Sequence, residues 1–415
     1  MESVDSARTP AGGRRLDAPL VGVMLAGFCT FLDLYMTQPL LPAFRHIFHA
    51  GEGAVSLTVS AATLTVALSA PFAGMLSDRI GRKKVIVTSV FLLVIPTILA
   101  ATSPSLNALV FWRLVQGVFL PGIFCVSMAY VNEEYQAGGA GKAMAFYITG
   151  NVLGGFMGRF ISGLLADHFG WRSPFLVLAL VNLAGAIAIW RLLPGSRNFV
   201  AVDDWRDAVR SVRDHMTNGK LVATYAVGFS VLFAQVATFT YISFYLAEPP
   251  FNLGTSALGI LFFVYLLGVA ITPMSGRAID RFGHRNVLIA GVATSCIGVL
   301  MALSHVLGLE IVALAIAASG VFVSQVAGSS HVGVSTDHGR SAASGLYVMW
   351  YYLGGTAGAA VPAALWAIGG WPACAALIVG VQVAAVAIAL VFWAPRVAVV
   401  KRGVPAQTDA LLELD

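Results

Sequence analysis

Continuous apolar runs recur along the chain near Pro19 to Leu41, Ala54 to Leu76, Val85 to Ala101, Leu106 to Tyr130, Ala143 to Ala166 and Pro174 to Leu193. After a polar stretch they resume near Leu221 to Leu246, Ser256 to Ser275, Val287 to His305, Leu309 to Ser329, Gly345 to Trp366 and Pro372 to Ala394. Each is close to the roughly 20 residues that a helix needs to cross a bilayer, and none alternates polar with apolar as a barrel strand does. The pattern predicts an all-α membrane protein with twelve transmembrane helices.

The polar punctuation divides the chain into a tail over residues 1–18, a six-helix bundle over 19–194, a linker over 195–220, a second bundle over 221–394 and a second tail over 395–415. In the linker, Trp205, Ala208, Val209, Val212 and Met216 recur at helical spacing opposite Arg206, Asp207, Arg210 and Arg213, which predicts a short amphipathic helix. Its basic face suits anionic lipid headgroups and equally suits water.

Composition agrees with a bilayer setting: 58% of residues are hydrophobic and 11% charged, against roughly 25% charged in a soluble chain. Nearly all of the 25 Lys and Arg fall on the side of the termini, with Arg45 and Arg172 on the other, so both termini are expected in the cytoplasm. The same asymmetry accounts for the net charge of +5, which therefore gives no reason to expect nucleic acid. Cys29, Cys125, Cys296 and Cys374 lie in apolar runs without ligand spacing, and no His has a partner for a metal, so neither metal nor cofactor is expected.

The two halves repeat one another. GMLSDRIGRKKV (Gly74 to Val85) matches GRAIDRFGHRNV (Gly276 to Val287) at glycine, aspartate, arginine and glycine. In a second register, Gly154, Gly155, Gly158, Gly170 and Trp171 match Gly354, Gly355, Gly358, Gly370 and Trp371. The bundles are thus expected to be related by a pseudo-two-fold axis, an arrangement that lets two similar units rock about a shared central site.

The GMLSDRIGRKKV loop resembles the signature of the major facilitator superfamily, and WRLVQG (Trp112 to Gly117) resembles a second element of it. LYMTQPLLP (Leu34 to Pro42) and GNVLGGFMGR (Gly150 to Arg159) are similar to the drug/proton antiporter branch and related bacterial efflux permeases, with Gly155 where that branch carries a proline. The resemblance implies a multi-pass transporter of the bacterial inner membrane that works with protons and a small organic substrate by alternating access, as a monomer. Export of amphipathic or anionic molecules is the expected direction; a symporter importing a sugar or organic anion, and a non-transporting receptor on the same fold, are the alternatives. An enzyme is not expected, since no Walker loop, HExxH or GxSxG is present. In the signature loops, Gly74, Asp78, Arg79, Gly81 and Arg82, with Asp280, Arg281 and Gly283 in the repeat, are the candidates for a cytoplasmic latch between the bundles.

Charges deep inside the runs are few: Asp33, Arg113 and Arg159, all in the first half and at similar predicted depth. Their repeat partners are neutral, Gln235 or Ala234 for Asp33, Ala315 for Arg113 and Ala359 for Arg159. One cluster of the three is expected, with Asp33 either loading and releasing a proton beside Arg113 or fixed to it as a permanent ion pair. Two arginines against one acid favour an anionic or polar neutral substrate over a cation. Thr30, Tyr35, Thr37, Gln38, Tyr147, Asn151, Gln235, Thr238, Tyr241, Gln325, Tyr347, Trp350 and Tyr351 are the polar and aromatic candidates to line the cavity.

Overall fold

The computed structural model describes residues 18–135, 140–196, 213–336 and 340–393. Both tails lie outside the described residues, and of the expected amphipathic linker helix only the end is described, with residues 213–217 helical. The spans of the first half are Ala18–Ile47, Glu52–Ile80, Arg82–Ala101, Leu106–Glu134, Ala140–Phe169 and Ser173–Leu192, numbered 1 to 6. Spans 7 to 10 are Gly219–Ala247, Thr255–Phe282, His284–Met301 and Leu307–Ser335. Span 11 opens with Arg340–Ala360, and the following segment Pro362–Phe392 turns at Gly369 and Gly370, so that 362–368 prolongs span 11 and 371–392 forms span 12.

The repeated letters have a backbone cause. The four glycines with positive φ among the described residues are Gly81 and Gly283 in the signature loops, and Gly170 and Gly370 before the paired tryptophans. Each breaks a helix at the same point of its half, in a conformation that a side chain would strain. The glycine stripes also match. A side chain at Gly154 or Gly158 would strike the backbone of Phe28 or Leu32, and one at Gly354 or Gly358 that of Phe229 or Phe233. Span 5 therefore rides on span 1 as span 11 rides on span 7, by small-residue packing that does not rely on a hydrophobic driving force. This register pairs Leu32 with Phe233, and so Asp33 with Ala234.

The halves meet through spans 2 and 11 and through spans 5 and 8. Among the described residues, the hydrogen bonds that cross between them are Gln38 to Thr240 (3.2 Å), Arg45 to Glu248 (2.7 Å), Thr356 to Thr63 (3.1 Å) and Thr255 to Asp167 (3.5 Å). All lie between mid-depth and the face opposite the termini, so the halves are closed on that face.

Span 1 is not one straight helix. It ends as an α-helix at Leu34, passes through a turn and a 3₁₀ segment at Gln38–Leu40, and restarts at Leu41–Ile47. Pro39 and Pro42 have no N–H to give, and Gln38 N bonds Tyr35 O (3.1 Å) instead of reaching back a full turn. The carbonyls of Asp33 and Leu34 thereby lose their full-turn partners, Asp33 O keeping only a long bond from Met36 N (3.4 Å).

Candidate functional site

Arg113 takes up those freed carbonyls. Its Nη1 donates to Asp33 O (2.9 Å) and Gln116 Oε1 (2.7 Å), Nη2 to Leu34 O (2.5 Å) and Nε to Thr58 O (2.8 Å). The guanidinium is fully buried and clamps spans 1, 2 and 4 through neutral acceptors. It does not pair with the Asp33 carboxylate, so of the two alternatives the permanent ion pair is not formed. Neighbouring carbonyls win because the break in span 1 leaves Leu34 O without a backbone donor and Asp33 O with only a long one inside the membrane, where an unsatisfied carbonyl costs as much as a lost hydrogen bond.

The Asp33 side chain turns the other way, between spans 3 and 6. Asn182 Nδ2 donates to its Oδ2. Thr97 Oγ1 lies 3.5 Å from Oδ1, but its one hydroxyl proton is better placed on Leu93 O at 2.7 Å. Thr97 in turn accepts from Gln116 Nε2 (2.8 Å), which returns the chain of contacts to Arg113. Asp33 is fully buried, and no Lys, Arg or His nitrogen lies within 4.0 Å of it among the described residues.

Arg159 stands apart from both, which corrects the expected single cluster. Its Nε donates to Gln38 Oε1 (2.7 Å) and its Nη1 to Gly155 O (2.5 Å). Rings enclose it: its Cζ lies 4.7 Å from the centroid of Tyr35, 4.9 Å from Phe262 and 4.6 Å from Tyr265. Tyr35 and Gln38 come from the broken part of span 1, while Phe262 and Tyr265 come from a 3₁₀ segment, Phe262–Leu266, in span 8. The box is thus assembled from both halves.

The other candidates divide. Tyr351 stacks on Tyr347 (6.0 Å) and meets Tyr352 (5.5 Å), and Tyr352 reaches Phe124 of the first half (5.4 Å). Asn151 faces Gly27 with its Oδ1 unpartnered. Tyr147 and Tyr241 are instead tied to backbone, at Phe124 O (2.9 Å) and Ala359 O (2.8 Å), and Tyr241 packs between Phe244 and Trp366. Gln235 and Gln325 are half-buried. In the signature loop, Arg82 pairs with Asp78 and grips Glu133 with two bonds (3.0 and 2.5 Å), all within the first half, while Arg79, Asp280 and Arg281 are exposed.

Asn182, Thr97 and Glu133 did not stand out as site residues in the sequence. Asn182 had a signal: it is the lone amide of its apolar run, and it matches Gln382 in the register that pairs Trp171 with Trp371. Gln382 lines an internal pocket of the second half with Ala234, Ser295, Ser230 and Ser324, and its Nε2 and Ser295 Oγ are buried without partners. The second half keeps the polar hollow and lacks the acid.

Two broken-helix bundles joined at a polar, aromatic mid-depth site are the architecture of a multi-pass membrane transporter. The Major Facilitator Superfamily profile matches residues 23–272 and 229–413, and the chain belongs to that family. It is 32% identical over 342 residues to the MFS-type transporter YybF of Bacillus subtilis, covering 82% of this chain and 85% of the relative. It is 31% identical over 354 residues to the inner membrane transport protein YnfM of Escherichia coli, covering 85% of each. Among solved structures, the nucleoside transporter NupG superposes with a TM-score of 0.74 at 13% identity, covering 90% of this chain and all of that one. A D-xylose–proton symporter gives a TM-score of 0.71 at 16% identity, covering 91% and 97%.

Proposed function

We propose that the chain is a proton-coupled exporter of small amphipathic or anionic organic molecules, placed in a bacterial inner membrane with both termini in the cytoplasm. The observation that carries this reading is Asp33: a fully buried carboxyl addressed by an amide and by no cation. Such a group needs compensation when charged and none when protonated, so it is suited to carry a proton through the cycle. The Asn182 amide can serve both forms, donating from Nδ2 to the carboxylate and accepting from the carboxyl at Oδ1, which is buried and unpartnered.

Coupling to cargo runs through the break in span 1. Arg113 holds the Asp33 and Leu34 carbonyls, and the same irregular segment carries Tyr35 and Gln38 to Arg159. A change at Asp33 therefore reaches the mid-depth box over a few residues of backbone. With the halves closed away from the termini, the signature loops belong to the opposite state in this reading: Asp78 and Arg82, held to Glu133 within the first half here, close the cytoplasmic face together with Asp280 and Arg281.

The test is flux of a panel of organic anions, sugars and dyes into inside-out vesicles under an imposed pH gradient. Asp33→Asn keeps the shape and removes the titration, so gradient-driven flux is expected to vanish in a folded variant. Undiminished flux in well-expressed Asp33→Asn would end the coupling role, and gradient-driven movement in the reverse direction would make the protein a symporter.

A further inference from the structure

We infer that the cargo of this site is an aromatic monocarboxylate, received at Arg159 and not at Arg113. The inference rests on the transporter reading above and adds the substrate class.

Charge points to Arg159 alone. Arg113 is closed to a ligand because four oxygens already surround it, three of them backbone carbonyls, two on span 1 and one on span 2. Arg159 has five N–H groups, of which its hydrogen bonds to Gln38 and Gly155 use two. It is 2% exposed, and no Asp or Glu oxygen lies within 4.0 Å among the described residues. Three aromatic rings around its Cζ offset part of the cost of that charge, but a ring face is a weaker acceptor than a carboxylate oxygen. A planar fork with N–H groups beyond those given to Gln38 and Gly155 matches a carboxylate. One uncompensated cation matches one negative charge, and a cationic ligand is repelled.

Shape points to a flat ring. From the box, Tyr35 carries its buried hydroxyl without a partner, and the same is true of Tyr347 Oη and Trp350 Nε1 on span 11. Tyr347, Tyr351 and Tyr352 form a continuous run of ring contacts that crosses to Phe124 and on to Phe31 (6.1 Å). Both halves therefore contribute ring surfaces and a few unpartnered polar tips. Such walls favour a rigid aromatic body that stacks and takes one or two hydrogen bonds.

The experiment is calorimetric titration of the purified full-length protein with benzoate, 1-naphthoate, cyclohexanecarboxylate and benzylammonium. Expected are binding of both aromatic acids, roughly 3- to 10-fold weaker binding of cyclohexanecarboxylate for want of stacking, and none of benzylammonium. Arg159→Gln should weaken the aromatic acids at least ~10-fold. Arg159→Lys, which keeps the charge, should bind them with intermediate affinity. Failure of both aromatic acids to bind wild type, binding of benzylammonium as tight as benzoate, or wild-type affinity in folded Arg159→Gln or Arg159→Lys would each overturn the assignment of the anion site. Equal affinity for benzoate and cyclohexanecarboxylate would overturn its aromatic part. Flux under a pH gradient is measured separately, so a protein that binds benzoate yet shows no gradient-driven flux leaves this inference standing and strikes the transport reading.

Discussion

Arg45 and Glu248 join the two halves of the protein on the face away from the termini, with Arg45 Nη1 2.7 Å from Glu248 Oε1. The same nitrogen lies 2.9 Å from Glu52 of its own half, so Arg45 is shared between a neighbour that stays with it and a partner that leaves when this face opens. The side chains are 37% and 48% exposed, and a pair so wet is worth about 0.2–1 kcal/mol. It is a tie of modest strength.

Arg45→Ala is accordingly expected to shift the balance toward opening on that face by roughly 1.5- to 5-fold. Labelling of single cysteines placed near Thr63 and Thr356 measures this directly. Labelling rates identical to those of the parent protein would remove Arg45 from the gate.

Asp33 and Asn182 are expected to behave as a unit in stability. Asn182→Leu leaves a buried carboxyl without its firm hydrogen bond and should cost about 1–3 kcal/mol. Replacing both, Asp33→Leu with Asn182→Leu, removes both polar groups and should recover part of that loss. Thermal unfolding of the purified variants decides it; additive losses in the double variant would mean the two groups do not depend on each other.

The glycine stripe gives a graded expectation. Alanine at Gly154 meets the Phe28 backbone, and alanine at Gly354 meets the Phe229 backbone, so both should destabilise by about 1–3 kcal/mol. Alanine at Gly155 meets Arg159 Nη1 at 3.3 Å and Phe31 Cβ at 3.8 Å, both side-chain atoms, and should cost much less. Equal losses at Gly154 and Gly155 in a melting experiment would show that the stripe is not what seats span 5 on span 1.

Much of the fold was legible in the sequence because lipid permits so few backbones: long apolar runs must be helices, and a twice-written loop must be a repeat. The charges deep in the first half, Asp33, Arg113 and Arg159, were also plain. Their partners were not, because these follow from the break after Leu34. Pro39 and Pro42 announce a break, yet which carbonyls it frees, and that Arg113 takes them in preference to the Asp33 carboxylate, depends on the packing of spans 2 and 4. The Arg159 box was hidden for a similar reason. Phe262 and Tyr265 sit in an apolar run like any other, and only the 3₁₀ twist of that segment brings both rings to one arginine.

The neutral Ala234 opposite Asp33 has an electrical consequence. In the proposed exporter, with Asp33 as the single coupling acid, one proton moves per turnover, and if the cargo leaving is a monoanion, each cycle carries two elementary charges inward. A membrane potential of 100 mV then contributes about 4.6 kcal/mol, enough to hold roughly a thousandfold concentration ratio, where a neutral cargo would draw on about 2.3 kcal/mol. The current measured per molecule exported thus reports the charge of the cargo, and installing a second acid with Ala234→Asp would be read as a rise in that current.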